Sequence, residues 1–194
     1  MSLPTIKINP ETSCPADILN NQVSVVVKYF DFKQTEHTGT IEIHKDLKND
    51  IEKVFDLLYA EKFPIAKIIP ISEYAWDDEK SCSDNNTSGF NYRVISGTNK
   101  LSKHATGCAI DINPYQNHYI KYEVSTSPDG EVLGTKELWR APATKYDPEE
   151  KGTIQPDSNL VKLFKDLGWE WGGDWTPESG RIDYQHFEKI VPAA

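Results

Sequence analysis

LSKHATGCAIDINP (residues 101–114) and DYQHFE (residues 183–188) are the two stretches whose joint reading decides the fold and the site. The first supplies His104 and Asp111, seven positions apart across Gly107; the second supplies Asp183 three positions before His186. A hydrolytic zinc site needs three protein ligands and one open position, with neutral imidazole and carboxylate as suitable donors. His104, Asp111 and His186 meet that requirement with two nitrogens and one oxygen. One negative ligand charge leaves the ion able to act as a Lewis acid and to bring the pKa of its water to about 7.

Working outward, CAIDIN reads as a buried strand in which successive side chains point to opposite faces. Cys108, Ile110 and Ile112 then face the core, while Ala109, Asp111 and Asn113 face a cleft. Gly107 marks the turn from the loop holding His104 into that strand, where a residue without Cβ can take unusual dihedrals. Asp183 and His186 are oddly spaced, so they cannot share a face of one regular strand. Asp183 is therefore expected in the approach to the strand or at a bend, with His186 on the strand proper. There Asp183 would serve as the acid/base, although its ordinary pKa near 3.9 is low for that work.

The pattern S-x-H-x-x-G-x-A-x-D, carried here by Ser102, His104, Gly107, Ala109 and Asp111 with Cys108 beside the glycine, is followed by D-x-x-H-F-E. It resembles the D-alanyl-D-alanine carboxypeptidase family of zinc peptidases, and FNYRVISGTNKLSKHATGCAIDINP is most similar to its endolysin-like, L-alanyl-D-glutamate peptidase-like subgroup. The likeness runs from about Val23 to Lys189, through TGTIEIHKDLKNDIEKVFDLLYAEKFPI and GWEWGGDW. It implies Zn2+ held by His104, Asp111 and His186, Asp183 as acid/base, Arg93 polarising the scissile carbonyl, and Ser102 in substrate binding. Many relatives carry Glu where this chain has Asp183, and the endolysin-like members carry Asp. Strand alternation agrees for Arg93, since Phe90, Tyr92 and Val94 can point inward while Asn91, Arg93 and Ile95 point to the cleft.

The implied fold is α+β, a small antiparallel sheet with helices packed on one side and the zinc cleft on the other, as in hedgehog and D-Ala-D-Ala peptidases. The implied activity is hydrolysis of peptide bonds involving D-amino acids in peptidoglycan stem peptides, at L-Ala-D-Glu or D-Ala-D-Ala, with zinc-bound water as the nucleophile. A zinc-containing peptidoglycan-binding module without turnover is the alternative, and a purely structural metal is the third reading. Three ligands instead of four argue against a closed structural site, and the carboxylate at Asp183 argues against a module that only binds. The expected partner is a stem peptide or muropeptide, the expected state a monomer, and the expected location the cell envelope, periplasmic or secreted.

With 194 residues and a 38% hydrophobic fraction the chain can bury one sizeable core. Residues 1–22 read as an N-terminal arm and residues 23–194 as a single peptidase domain. The net charge of −9 disfavours nucleic acid as a partner. No membrane-length apolar run or signal peptide is visible, VSVVVKYF being too short; a substrate outside the cytoplasm implies that a leader has been removed. Cys14, Cys82 and Cys108 are read as free thiols, a Cys14–Cys82 disulfide being the other reading.

Residues 23–30 and 38–43 read as a hairpin. Leu47, Ile51, Val54, Phe55 and Leu58 recur at helical spacing over residues 45–60. Residues 65–71 read as a third strand ended by Pro70, and residues 77–89 as a solvated loop whose spacing does not fit a calcium loop. Residues 117–156 read as a long loop, either a substrate-selecting wall or a plain insertion. His37, His44 and His118 are read as ordinary histidines. Asp157 or Ser158 caps a short helix carrying Leu160, Val161, Phe164 and Leu167, stopped by Gly168. The three Trp of GWEWGGDW are read chiefly as core packing, with an aromatic wall for a peptide as the other reading.

Overall fold

The computed structural model describes residues 6, 7, 9–141 and 146–191. Residues 1–5 and 8 of the expected arm, and 142–145 of the expected long loop, lie outside the described residues. A one-turn helix, α1 (Ala16–Leu19), leads into the hairpin of β1 (Gln22–Phe30) and β2 (Glu36–His44), paired from Gln22↔His44 to Phe30↔Glu36. Val25, Val27 and Tyr29 alternate inward on β1 and meet Ile41 and Ile43 of β2. At the turn, Asp31 Oδ1 accepts the backbone N–H groups of Lys33 and Thr35, both at 2.8 Å, in an Asx-type turn.

A 3-10 turn (Lys45–Leu47) runs into α2 (Lys48–Ala60), whose buried Ile51, Val54, Phe55 and Leu58 pack on the hairpin as the apolar spacing requires. The third strand is much shorter than expected: β3 (Lys67–Ile68) lies parallel to β4 (Asn86–Thr87). The Asn86 side chain takes over as a ladder rung, accepting from Ile69 N and donating to Ile69 O, each at 2.9 Å, and Pro70 has no N–H to continue. Between them the expected loop contains a helix, α3 (Asp78–Ser83), capped by Asp77 Oδ1 accepting from Lys80 N at 3.0 Å. Residues 90–95 are extended but form no regular strand, keeping only the bridge Val94↔Leu101; Val94, expected inward, is 48% exposed.

Next come β5 (Ala109–Asp111), then β6 (Tyr119–Thr126) and β7 (Val132–Ala141), α4 (Asn159–Asp166), β8 (Glu170–Trp171), β9 (Arg181–Asp183) and β10 (His186–Glu188). The expected single sheet is divided into small ones: β5-β10-β8 and β7-β6-β9 are antiparallel, and the β1-β2 hairpin stands apart from both. One cause is Asn113, which turns the chain out of β5 at φ 45°. Its side chain, expected in the cleft, donates to Pro64 O at 2.8 Å and Gly152 O at 3.1 Å and accepts from Ala66 N at 3.1 Å. Phe164 of α4 stacks on Phe187 of β10 at 3.9 Å, with Trp169 and Trp171 buried beside them. Each such buried aromatic contributes roughly 2–3 kcal/mol through apolar area removed from water.

Glu42 alternates away from Ile41 and Ile43 on β2 and is nonetheless buried, with Lys7 and Glu73 within electrostatic reach of its carboxyl. Burial, only partly offset by Lys7, and the nearby Glu73 push its carboxyl up to about 7. The folded state therefore holds a proton that the unfolded chain releases near its ordinary 4.3, and stability falls as pH rises between those values. Urea unfolding of Glu42→Gln should lose that component of the pH dependence, on the order of 1–3 kcal/mol between pH 4.5 and 8, relative to the unsubstituted protein.

Candidate metal centre

Asp111 and His186 are direct cross-strand partners in the β5-β10 ladder, so their side chains leave the sheet on one face. His186 Nδ1 lies 2.9 Å from Asp111 Oδ1. His104 arrives from a 3-10 turn (Lys103–Thr106), with Nε2 3.2 Å from Asp111 Oδ2 and 3.3 Å from His186 Nδ1. That turn ends at Gly107 with φ 67°, where a Cβ would strike Gln22 and the His44 backbone nitrogen. Ser102 caps its start, Oγ accepting from His104 N at 3.3 Å.

Among the described residues, His104, Asp111 and His186 form the group able to hold a metal ion, with ligand atoms within 4.8 Å of one another. All three are buried. Burial alone would raise the Asp111 carboxyl, but the charge and hydrogen bonds of His104 and His186 hold it well below the carboxylate range. Burial likewise pulls His186 down, and hydrogen bonds to Asp111 and Glu188 with the charges of Asp111 and Asp183 outweigh it, so its imidazolium persists well above the usual range. Two nitrogens and one oxygen suit a zinc-type divalent ion.

The imidazole orientations are set from behind. His104 Nδ1 donates to Gly89 O at 2.6 Å, which leaves Nε2 facing the cluster. His186 Nε2 meets Glu188 Oε2 at 3.0 Å, which leaves Nδ1 facing the cluster. Glu188 and Gly89 were not singled out from sequence. The signal for Glu188 was there, because residues 186 and 188 share a strand face; a backbone carbonyl at Gly89 leaves no trace in residue types.

Asp183 and His186 stand on different strands of different sheets. Asp183 closes β9 opposite Tyr119, residues 184–185 turn, and His186 opens β10 opposite Asp111. This resolves the odd spacing by a bend between two ladders. Asp183 is 9% exposed and its Oδ1 is buried without a hydrogen-bond partner. Burial, opposed by His186 and reinforced by Asp111, raises its carboxyl to about 7. Arg93 Nη2 is paired with Asp78 of α3 at 2.7 Å while its Nε is buried and unpartnered. Cys82 lies within electrostatic reach of Asp78, Asp111, Asp183 and Arg93, and burial with the three acids pushes its thiol well up.

The other histidines stay outside the cluster. His37 pairs with Asp31 at 3.0 Å, His44 caps the turn before α2, and buried His118 has Nδ1 3.2 Å from Gln116 O. All three cysteines are free thiols. Of the GWEWGGDW tryptophans, Trp169 and Trp171 are core residues, whereas Trp175 is half-buried with its ring 5.5 Å from His186. Residues 117–156 are not a structureless loop: most of them form the β6-β7 hairpin, whose first residue pairs with Asp183. The alternation in YIKYEVST and the SPDG turn carried that signal.

Residues 96–189, just under half of the chain, match the family model described as D-alanyl-D-alanine carboxypeptidase. The site-bearing part of the chain matches the D-alanyl-D-alanine carboxypeptidase family. That family is one of zinc metallopeptidases, and the match spans all three candidate ligands and Asp183. No curated protein and no solved structure matches the chain. No helix among the described residues is long and apolar enough to cross a membrane.

Replacing Glu188 by Ala should weaken zinc binding about 10- to 100-fold, the usual effect of removing the group that orients a histidine ligand. Competition against a colour-changing chelator would read it, with far-UV circular dichroism unchanged. Glu188→Gln, which keeps an acceptor, should lose less.

Proposed function

We propose that the protein is a zinc-dependent peptidase hydrolysing bonds that involve D-amino acids in peptidoglycan stem peptides, of the endolysin-like L-Ala-D-Glu endopeptidase or D-Ala-D-Ala carboxypeptidase type. The observation that carries this reading is the convergence of His104, Asp111 and His186 within 4.8 Å, inside the stretch matching the family model. In this reading residues 23–194 are one peptidase domain with the hedgehog-like arrangement of cleft and helices. It works as a monomer in the cell envelope, periplasmic or secreted, on stem peptides or muropeptides.

His104, Asp111 and His186 would hold the ion, which supplies Lewis acidity toward the scissile carbonyl when bound. Asp183 is the acid/base. As the attacking water's oxygen bonds to the carbonyl carbon, the water's proton passes to Asp183; as the C–N bond breaks, Asp183 returns it to the amine nitrogen. A carboxyl raised to about 7 by burial is far better matched to that exchange near neutral pH than one at its ordinary value. Arg93, with Nη2 committed to Asp78, would donate to the developing oxyanion through its remaining guanidinium N–H groups. Ser102 Oγ accepts from the backbone, so its hydroxyl proton remains available to a substrate carbonyl.

The reading of a binding module without turnover is disfavoured by Asp183, because a site that only binds has no use for a buried carboxylate with an unpartnered oxygen. Incubation of the zinc-loaded protein with purified muropeptides, followed by mass spectrometry, should reveal a single class of cleaved bond. Asp183→Ala should keep nearly full zinc content and lose roughly 10²-fold or more in turnover, while His104→Ala should lose the metal. Full activity in Asp183→Ala would remove the acid/base assignment.

A further inference from the structure

Beside Asp183 the β7-β6-β9 sheet presents a face that the peptide chemistry above does not use. The register sets Tyr119 opposite Asp183, and Lys121 opposite both Arg181 and Trp139. Directly paired residues project to the same side, and residues two apart on one strand do so as well. Tyr119, Lys121, Trp139, Arg181 and Asp183 therefore share one face. Tyr119 and Trp139 are in ring contact at 5.3 Å. The face begins at the proposed acid/base and carries two cations and two aromatic rings outward from it.

Arg181 is the distinctive member. Its guanidinium carbon lies 4.4 Å from the ring centroid of Trp175, whose other neighbour is His186 at 5.5 Å. Contact with the ring holds the guanidinium in place, and no carboxylate of the described residues grips it in the two-pronged fashion that suits it. Among the described residues Arg181 makes no ion pair and no side-chain hydrogen bond, in a chain of net charge −9 where acids are plentiful. Glu188, the acid that feels its charge, is committed to His186 at 3.0 Å, with Lys103 at 3.8 Å. On the opposite side of the hairpin, Glu137 is taken by Arg140. Glu123, further out on β6, sits opposite Lys136 in the register. Tyr119 lies within electrostatic reach of both Asp183 and Arg181, which places the cation close to the proposed reaction centre.

We propose that Arg181, seated on Trp175 and supported by Lys121, binds a carboxylate of the substrate flanking the bond to be cut, so that the protein selects an acidic peptide over its amidated counterpart. This rests on the peptidase reading of the metal centre and adds to it the side of the cleft on which the substrate's negative charge lies. A fork of charge-assisted hydrogen bonds to one carboxylate is worth about 10- to 100-fold in affinity.

Two stem peptides that differ only in a carboxylate or a carboxamide on the residue flanking the scissile bond test this, each measured for equilibrium binding by calorimetry and for hydrolysis. The zinc-loaded protein should bind the carboxylate form at least about 10-fold more tightly, and Arg181→Gln should bring the ratio between the two forms close to 1. Arg181→Lys should restore part of the ratio, which separates the loss of a charge from a loss of fold. Equal binding of the two peptides to the unsubstituted protein, or an unchanged ratio in Arg181→Gln, overturns the proposal. A carboxylate preference that Arg181→Gln abolishes, with neither peptide hydrolysed, supports the anion site and rejects the peptidase reading instead.

Discussion

The pairing of Asp111 with His186 across two three-residue strands is the constraint on which the rest of the site depends. Backbone hydrogen bonds fix which residues stand opposite, and that register alone sets an oxygen and a nitrogen donor side by side. A slip of one residue would turn both donors away together. Phe187, between His186 and Glu188, anchors the register by facing the core against Phe164 and Trp171. The hydrophobic core thus acts on the candidate metal centre through strand alternation: burial of one side chain determines where its two neighbours point.

Around that pair, successive layers are held by increasingly indirect means. His104 depends on a turn shaped by Gly107 and capped by Ser102, and its ring is aimed by Gly89 O. His186 is aimed by Glu188, which also faces Lys103 from the same turn that carries His104. Arg93 depends on Asp78 of α3, a short helix with its own Asp77 cap. Buried charges in such a cluster are costly unless each has a partner, and here Asp111, His104, His186 and Glu188 partner one another.

Much of this was legible in the residues. The β1-β2 hairpin, α2, α4 with its Ser158 cap, the left-handed Gly107 and the convergence of three ligands follow from alternation, helical spacing and donor chemistry. Other features were not, for identifiable reasons. Asn113 looked like a cleft residue because alternation was carried one step past the end of β5, where a positive φ cancels it. The β6-β7 hairpin was hidden because β7 is exposed along almost its whole length and so lacks the buried stripe by which a strand is recognised. Residues 90–95 have strand-like composition, but their backbone bonds go to scattered partners, Glu42, His104, Lys100 and Ser102, and form no continuous ladder. The raised pKa values of Asp183 and Glu42 arise from chain segments distant in sequence that close over them, which no local pattern records.

The bend at residues 184–185 separates two kinds of work. On its far side, β10 belongs to the ladder that sets the candidate ligands Asp111 and His186 side by side; on its near side, β9 belongs to the ladder that carries Asp183 together with the projecting hairpin. The molecule is therefore built as a bench with a separately hung jaw. The β6-β7 hairpin and the Asp111–His186 rung hang on separate hydrogen-bond ladders, so a change in the ribbon's length or side chains leaves that rung in register.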